Sequence, residues 1–354
     1  MGERILLVSG GEYGDLYGAA LAASMKDIKP GVTVKCIGGG AGSSGTGGPA
    51  TSGLDRELDE GKVDCIVLAD QHLFDLHLMK KAKGMGIPVI DYAGVHGRSL
   101  KRRQLRKLRG LIDMVLAVFP FEAAMYKEAG VDVEFVGHPL VDIVDRSMSQ
   151  TESKAALGYD WTEAPVVLIP GGSAGDANEL LRLMVEGAAE AAAWSMRKVR
   201  LVIPDAERYD ESLLNDLIEA APRKPRAIKG QRHTALLASD AAVVAAGTAT
   251  VEAAVAGTHM LIIQKTSPFS YFLSNLMEGE ILYGFPNIIL DRPLCPELVQ
   301  NDATPKNITI ELGGILESAT REETDHGLAE VRETLGEPGT IRRAAEAVLR
   351  VMGS

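Results

Sequence analysis

Several stretches of this chain combine residue types that can hold an anion or move a proton. Ala241 to Ala246 is an apolar run that reads as a buried strand; Gly247-Thr248 breaks it, and Ala249 to Ala256 has helical composition. Such a turn presents backbone N–H groups at the positive end of a helix dipole, the setting in which phosphates bind. Thr248 and Thr250 add hydroxyls or caps. Glu252, in the first turn, either accepts a hydrogen bond from a sugar hydroxyl or simply complements the dipole. The same plan recurs where Pro165–Pro170 runs into Gly171-Gly172-Ser173, and where Arg4–Ser9 runs into Gly10-Gly11-Glu12-Tyr13-Gly14-Asp15. Asp70 closes the apolar strand Val63–Ala69. A carboxylate there can be the base for a sugar hydroxyl or the N-cap of the next helix.

Other polar residues read less sharply. His138, in Gly137-His138-Pro139, either bonds a nucleotide or sugar oxygen or holds a turn. His96 and Arg98 follow the strand Val89–Tyr92 and can contact a phosphate or a sugar. Leu100 to Leu111 places Leu105, Leu108 and Leu111 on one face and Arg102, Arg103, Arg106 and Lys107 elsewhere, an amphipathic basic helix. Its cations face solvent, a phosphate-bearing substrate or an anionic membrane surface.

Composition narrows the classes. The 354 residues suffice for two α/β domains, and the formal charge of −11 argues against a general nucleic-acid binder. Cys36, Cys65 and Cys295 are widely spaced and odd in number, which suits reduced thiols in a cytoplasmic protein. No apolar stretch approaches the ~20 residues of a membrane span, so any membrane contact is expected to be peripheral. No phosphate loop of the Gly-x-x-x-x-Gly-Lys-Ser/Thr type and no metal constellation is visible. Strand, glycine turn and helix repeat in two series, giving an α/β fold of two Rossmann-like domains facing a cleft. The expected division is 1–146, a linker at 147–163, a second domain at 164–325, and a terminal helical region at 326–354 that packs back on the first domain. Glu297 is expected to open a helix.

The motifs Gly247-Thr-Ala-Thr-Val-Glu-Ala, Lys265-Thr-Ser-Pro-Phe-Ser-Tyr-Phe, Phe285-Pro-Asn-Ile and Pro296-Glu-Leu-Val-Gln-Asn-Asp-Ala-Thr-Pro resemble the C-terminal half of the lipid-A-disaccharide synthases. Phe119-Pro-Phe-Glu and Phe135-Val-Gly-His-Pro-Leu-Val-Asp resemble the middle of the same family, in the same order. The resemblance implies the GT-B architecture and an inverting, metal-independent transferase with no cofactor, its UDP-sugar being a substrate. It implies a UDP-2,3-diacylglucosamine donor and a 2,3-diacylglucosamine 1-phosphate acceptor. Asp70 and Glu12 then belong to the catalytic set. Gly171, Gly172, Ser173, Gly247, Thr248, Thr250, Glu252 and Asn287 hold the donor. Asp15, His96, Arg98, Arg102 and His138 are left to the acceptor or its phosphate. The expected partners are these nucleotide-sugar and glycolipid substrates and a peripheral contact with the inner membrane, without nucleic acid; a homodimer stays open.

The chain also departs from the family pattern. Its first glycine loop is one residue short, two tryptophans are missing after Tyr92, and the apolar segment near Leu54–Gly61 is brief and charged. The family's Pro-Gly-Ser-Arg turn reads Gly172-Ser173-Ala174 here, so a cation for the diphosphate has to come from Arg208, Lys229 or Arg232. A UDP-sugar transferase with a less lipidic substrate, an epimerase, or a non-catalytic binding relative are the alternatives.

Overall fold

The computed structural model describes residues 3–38, 57–58, 61, 63–70, 76–94, 102–171, 174–265, 282–318 and 321–353. The chain forms two compact units, Met1–Ile143 together with Thr334–Ser354, and Val144–Glu333.

The first unit is built on β1 (Arg4–Ser9), β2 (Thr33–Ile37), β3 (Cys65–Ala69), β4 (Val89–Tyr92), β5 (Met114–Ala117) and β6 (Val133–Phe135). All pairs are parallel, in the order β2-β1-β3-β4-β5-β6. β3 and β4 are buried along their whole length, which is why they read as apolar runs rather than alternating patterns. Leaving β1, the chain reaches β2 on one side and then β3 on the other. The order therefore switches between β1 and β3, and open α/β sheets bind ligands at the carboxyl ends of strands flanking such a switch.

The second unit holds β7 (Glu163–Ile169), β8 (Lys198–Ile203), β9 (Arg226–Ala227), β10 (Ala241–Ala245), β11 (Met260–Gln264) and β12 (Glu297–Val299). Its parallel order, β12-β11-β10-β7-β8-β9, is the Rossmann order when counted from its own first strand. Here the switch lies between β7 and β10. The aliphatic faces of both strands pack under the long helix Ala174–Trp194 and the helix Pro305–Glu317 in one continuous core.

Several local expectations need correction. The segment expected as linker at 147–163 contains the helix Gln150–Ala156, closed by a reciprocal capping box between Ser149 and Glu152. Its buried Lys154 bonds the Glu163 carbonyl and pairs with Asp240, so it is part of the second unit's core. Glu297 instead begins a strand that pairs in parallel with β11, and its carboxylate accepts from the N–H groups of Tyr283 and Gly284. The first glycine loop is shorter than the sequence suggests: the helix Gly11–Ile28 starts at once, placing Glu12 in its first turn. The terminal region is two helices, Glu322–Thr334 in the second unit and Thr340–Gly353 in the first. Between them Gly336 and Gly339 adopt positive φ.

Candidate functional site

In the second unit, the turns expected to hold a nucleotide lie at the carboxyl ends of β7 and β10, the two strands flanking the switch. Gly171 leaves β7 so close to β10 that a Cβ there would sit 3.3 Å from that of Ala245. Gly247, at φ 125° and ψ −158°, is in a conformation reserved for glycine and turns the chain into the helix Thr248–Ala256. Thr248 is half-buried at the mouth of that helix. Thr250 is fully buried, and its hydroxyl is committed: it donates to the Gly247 carbonyl (2.7 Å) and accepts from the Phe285 N–H (3.1 Å). The contribution of Thr250 is thus to the shape of the turn rather than to a ligand contact.

Glu252 is buried and oriented by two neighbours. His233 Nε2 lies 2.9 Å from one carboxylate oxygen and Arg232 Nη1 3.3 Å from the other. Arg232 reaches on to Asp205 through Nε at 2.6 Å. Asp205 follows β8, Arg232 and His233 open the helix Arg232–Ala238 after β9, and Glu252 follows β10. One guanidinium therefore ties together loops at the carboxyl ends of three strands, a charge-assisted network in a dehydrated setting. Sequence reading named Arg232 only as a spare cation and passed over His233. Nothing local signals a partner nineteen residues away in Glu252. At 28% exposure, His233 reaches solvent more than either Arg232 or Glu252 does.

Asn287 proves to be a clamp. Its amide donates to the Cys295 carbonyl (2.8 Å) and to Glu297 (2.7 Å), and its oxygen accepts from the N–H groups of Leu294 and Cys295. Both ends of a fully buried amide are used, so Asn287 shapes the loop behind β11 and has no group left for a donor.

In the first unit, Asp70 stands at the carboxyl end of β3, buried, with φ 50°. Its N–H bonds the Tyr92 carbonyl, and the Gly10 N–H bonds the Ala69 carbonyl, which draws the exits of β1, β3 and β4 together. Gly14 packs against this corner; a Cβ on it would lie 2.8 Å from the Ala69 carbonyl and 3.3 Å from Asp70 Cβ. Glu12 is half-buried in the first helical turn beside the same switch point. Asp15 is instead bonded by the Ser9 hydroxyl, with its carboxylate against Gly38, so it joins the exits of β1 and β2.

His138 sits in the turn that follows β6. It is buried, its Nδ1 accepts from the Leu140 N–H (3.2 Å), and Tyr17 and Phe119 wall its ring. Its own N–H bonds the Leu335 carbonyl (2.8 Å). The rest of that motif serves the same end, since Asp142 accepts from the Gly339 and Ile341 N–H groups and the Thr340 hydroxyl. The basic helix is found as Arg102–Leu108, with Leu105 and Leu108 buried and Arg106 and Lys107 exposed. Gly172, Ser173, His96, Arg98 and the side chain of Arg102 lie outside the described residues. Among the described residues no cluster of His, Cys, Asp and Glu has the makings of a metal site, and no helix is long and apolar enough to cross a membrane.

Two parallel doubly wound sheets, each with glycine turns at its switch point, define a two-domain α/β protein of the GT-B class. Solved structures of this fold include the UDP-GlcNAc 2-epimerase of Neisseria meningitidis bound to UDP-GlcNAc, with TM-score 0.67 at 12% identity over 98% of this chain and 100% of that one. The glycosyltransferase VinC in complex with dTDP matches with TM-score 0.60 at 13% identity over 99% of both chains.

The family model described as Lipid-A-disaccharide synthetase matches residues 50–351. The lipid-A-disaccharide synthase of Syntrophus aciditrophicus is 33% identical over 99% of this chain and 98% of its own length. That of Myxococcus xanthus is 32% identical over 99% and 97%. The chain belongs to the lipid-A-disaccharide synthase family, and it is a glycosyltransferase.

Proposed function

We propose that the chain transfers 2,3-diacylglucosamine from UDP to the 6-hydroxyl of 2,3-diacylglucosamine 1-phosphate, releasing UDP and a β(1→6)-linked disaccharide. The observation that carries this is the family match over residues 50–351, combined with glycine turns at the switch points of both sheets. The second unit takes the donor. Amides of the turns at Gly171 and Gly247 bind the diphosphate, with the dipole of the helix Thr248–Ala256 behind them. His233, seated on Glu252, offers the polar contact nearest to solvent.

The first unit takes the acceptor, and Asp70 is its base. The 6-oxygen attacks the anomeric carbon as the bond to the UDP oxygen breaks, and the hydroxyl proton passes to the Asp70 carboxylate. Glu12 sits beside the same corner and orients the acceptor. No metal or other cofactor is required in this scheme. Departing negative charge is met by backbone N–H groups instead. The protein works at the cytoplasmic face of the inner membrane as a peripheral enzyme.

Transfer of labelled acyl-sugar between the two substrates tests the proposal. Asp70→Asn is expected to lower kcat by about 10²–10⁴-fold with the circular dichroism unchanged. Thermal protection by UDP without transfer of the acylated sugar would instead select a less lipidic substrate.

A further inference from the structure

Backbone amides can hold a diphosphate, but the charge that gathers on it as the sugar departs is also commonly met by a cation. The turn Gly171-Gly172-Ser173-Ala174 contains none. The three cations that the sequence offers in its place stand elsewhere. Arg232 is engaged with Asp205 and Glu252. Arg208 follows β8 and Lys229 follows β9, both on the far side of β7 from β10.

A fourth stands on the other side. Lys265 is the first residue after β11, the strand that flanks β10. Ala245 pairs with Ile263 in the parallel register, so Gly247 and Lys265, each two residues on, leave the sheet side by side. The Lys265 ammonium lies 2.8 Å from Glu179, in the second turn of the helix Ala174–Trp194 that follows the Gly171 turn. Because β10 separates β11 from β7, this contact carries the side chain past the exit of β10, at the end of the sheet that bears both glycine turns. The ion pair is loosely held. Lys265 is 37% exposed and Glu179 67%, and surface pairs of this kind contribute little, so the ammonium can exchange its carboxylate for a more highly charged anion. A point charge on a flexible stem suits a phosphate.

We propose that Lys265 is a catalytic residue whose ammonium moves from Glu179 to the diphosphate of the donor and stabilises the leaving UDP. As the bond between the anomeric carbon and the β-phosphate oxygen breaks, its electron pair goes to that oxygen, and the ammonium meets the charge. The ammonium keeps its own protons, and the acceptor hydroxyl proton still passes to Asp70. Glu179 is where the ammonium rests between turnovers. This assignment rests on the reading of the chain as a UDP-sugar transferase and adds the cation to it.

Kinetics and binding test it together in the full chain. Lys265→Met is expected to lower kcat about 10²-fold, with a smaller change in KM for UDP-2,3-diacylglucosamine. Lys265→Arg should recover most of that loss. In calorimetric titrations Lys265→Met is expected to weaken UDP about ten-fold and to leave uridine, which has no phosphate, unchanged. Glu179→Gln removes only the surface partner and is expected to keep kcat within about two-fold of the parent. Circular dichroism should be unchanged in all three variants.

Three results overturn the assignment. One is Lys265→Met with the kcat and UDP affinity of the parent. Another is equal weakening of UDP and uridine, which means a distorted pocket. The third is Glu179→Gln as damaging as Lys265→Met, which makes the ion pair a strut. The two readings fail separately: transfer that is indifferent to Lys265 removes the cation alone. UDP affinity that depends on Lys265, in a chain that transfers no acylated sugar, removes the substrate reading alone.

Discussion

Asp91, near the end of β4, is fully buried, and neither of its carboxylate oxygens has a hydrogen-bond partner among the described residues. Gly94 packs so closely on it that a Cβ there would lie 2.2 Å from one oxygen. Burial first, and then the negative charges of Glu122 and Asp70, hold its pKa well above the ordinary carboxylate range. The other titratable neighbour is Tyr126, whose buried hydroxyl is pushed up by desolvation and by Asp91 and Glu122. An unfolded aspartate gives up its proton near pH 4, while the folded Asp91 keeps it to higher pH. Between those two points the folded state binds more protons than the unfolded one, so this residue's contribution to stability falls as pH rises. The slope is up to about 1.4 kcal/mol per pH unit. Asp91→Asn mimics the protonated form and removes that slope. Its Tm is expected to exceed the parent's at about pH 8, with the margin closing toward about pH 4; parallel melting curves across that range would refute the assignment. The buried thiols of Cys65 and Cys295, both pushed up to about 12 by burial, are packing groups without nucleophilic character at neutral pH.

At the level of elements, the turn at Gly247 and the cap at Asp142 carry the clearest consequences. Among the described residues no atom lies within 4 Å of where a Cβ on Gly247 would be, so the cost of Gly247→Ala is chiefly backbone strain. At φ 125° that cost is about 1–3 kcal/mol, read as a fall in denaturation midpoint. If the turn cradles a diphosphate, protection by UDP should shrink along with it. Asp142→Ala strips three hydrogen bonds from the start of the helix Thr340–Gly353 and is expected to cost about 2 kcal/mol. Faster amide exchange in that helix, with Glu322–Thr334 unchanged, would identify the lost cap as the cause. The strands were legible because a strand covered on both faces is an apolar run, and the glycine turns because each interrupts such a run before a helix. The roles of Asp142 and Asn287 were not legible, and for His138 the sequence left a ligand contact and a turn equally open. Asp142 meets Gly339 across 197 residues of chain, and a polar motif reads alike whether it binds a ligand or fastens the fold. Glu252 reads as a first-turn acid, whereas it is the fifth residue of the helix Thr248–Ala256 and buried, and its partners on the helix Arg232–Ala238 leave no mark on the local sequence.

On the scale of the whole molecule, the chain leaves the first unit at Ile143, builds the second, and returns after Glu333. Each unit has its own parallel sheet and its own apolar core, so each has a separate reason to melt. The returning helix Thr340–Gly353 packs against Gly11–Ile28 and buries Ala344, Ala345, Ala347 and Val348 completely. At about 0.8 kcal/mol per buried carbon, those four side chains contribute about 5 kcal/mol to the first unit. Arg343 adds bonds to the Val136 and Glu337 carbonyls. Ending the chain after Glu333 is therefore expected to lower the melting of the first unit sharply while the second keeps its own transition. If UDP binds at the turns of β7 and β10, as proposed, it should raise only that second transition. At a hundred times its dissociation constant it adds about 2.7 kcal/mol. Scanning calorimetry of the full and shortened chains, each with and without UDP, reads both effects at once. A single transition that UDP moves equally in the two chains would mean that the units do not melt separately, and that the return of the chain stabilises both.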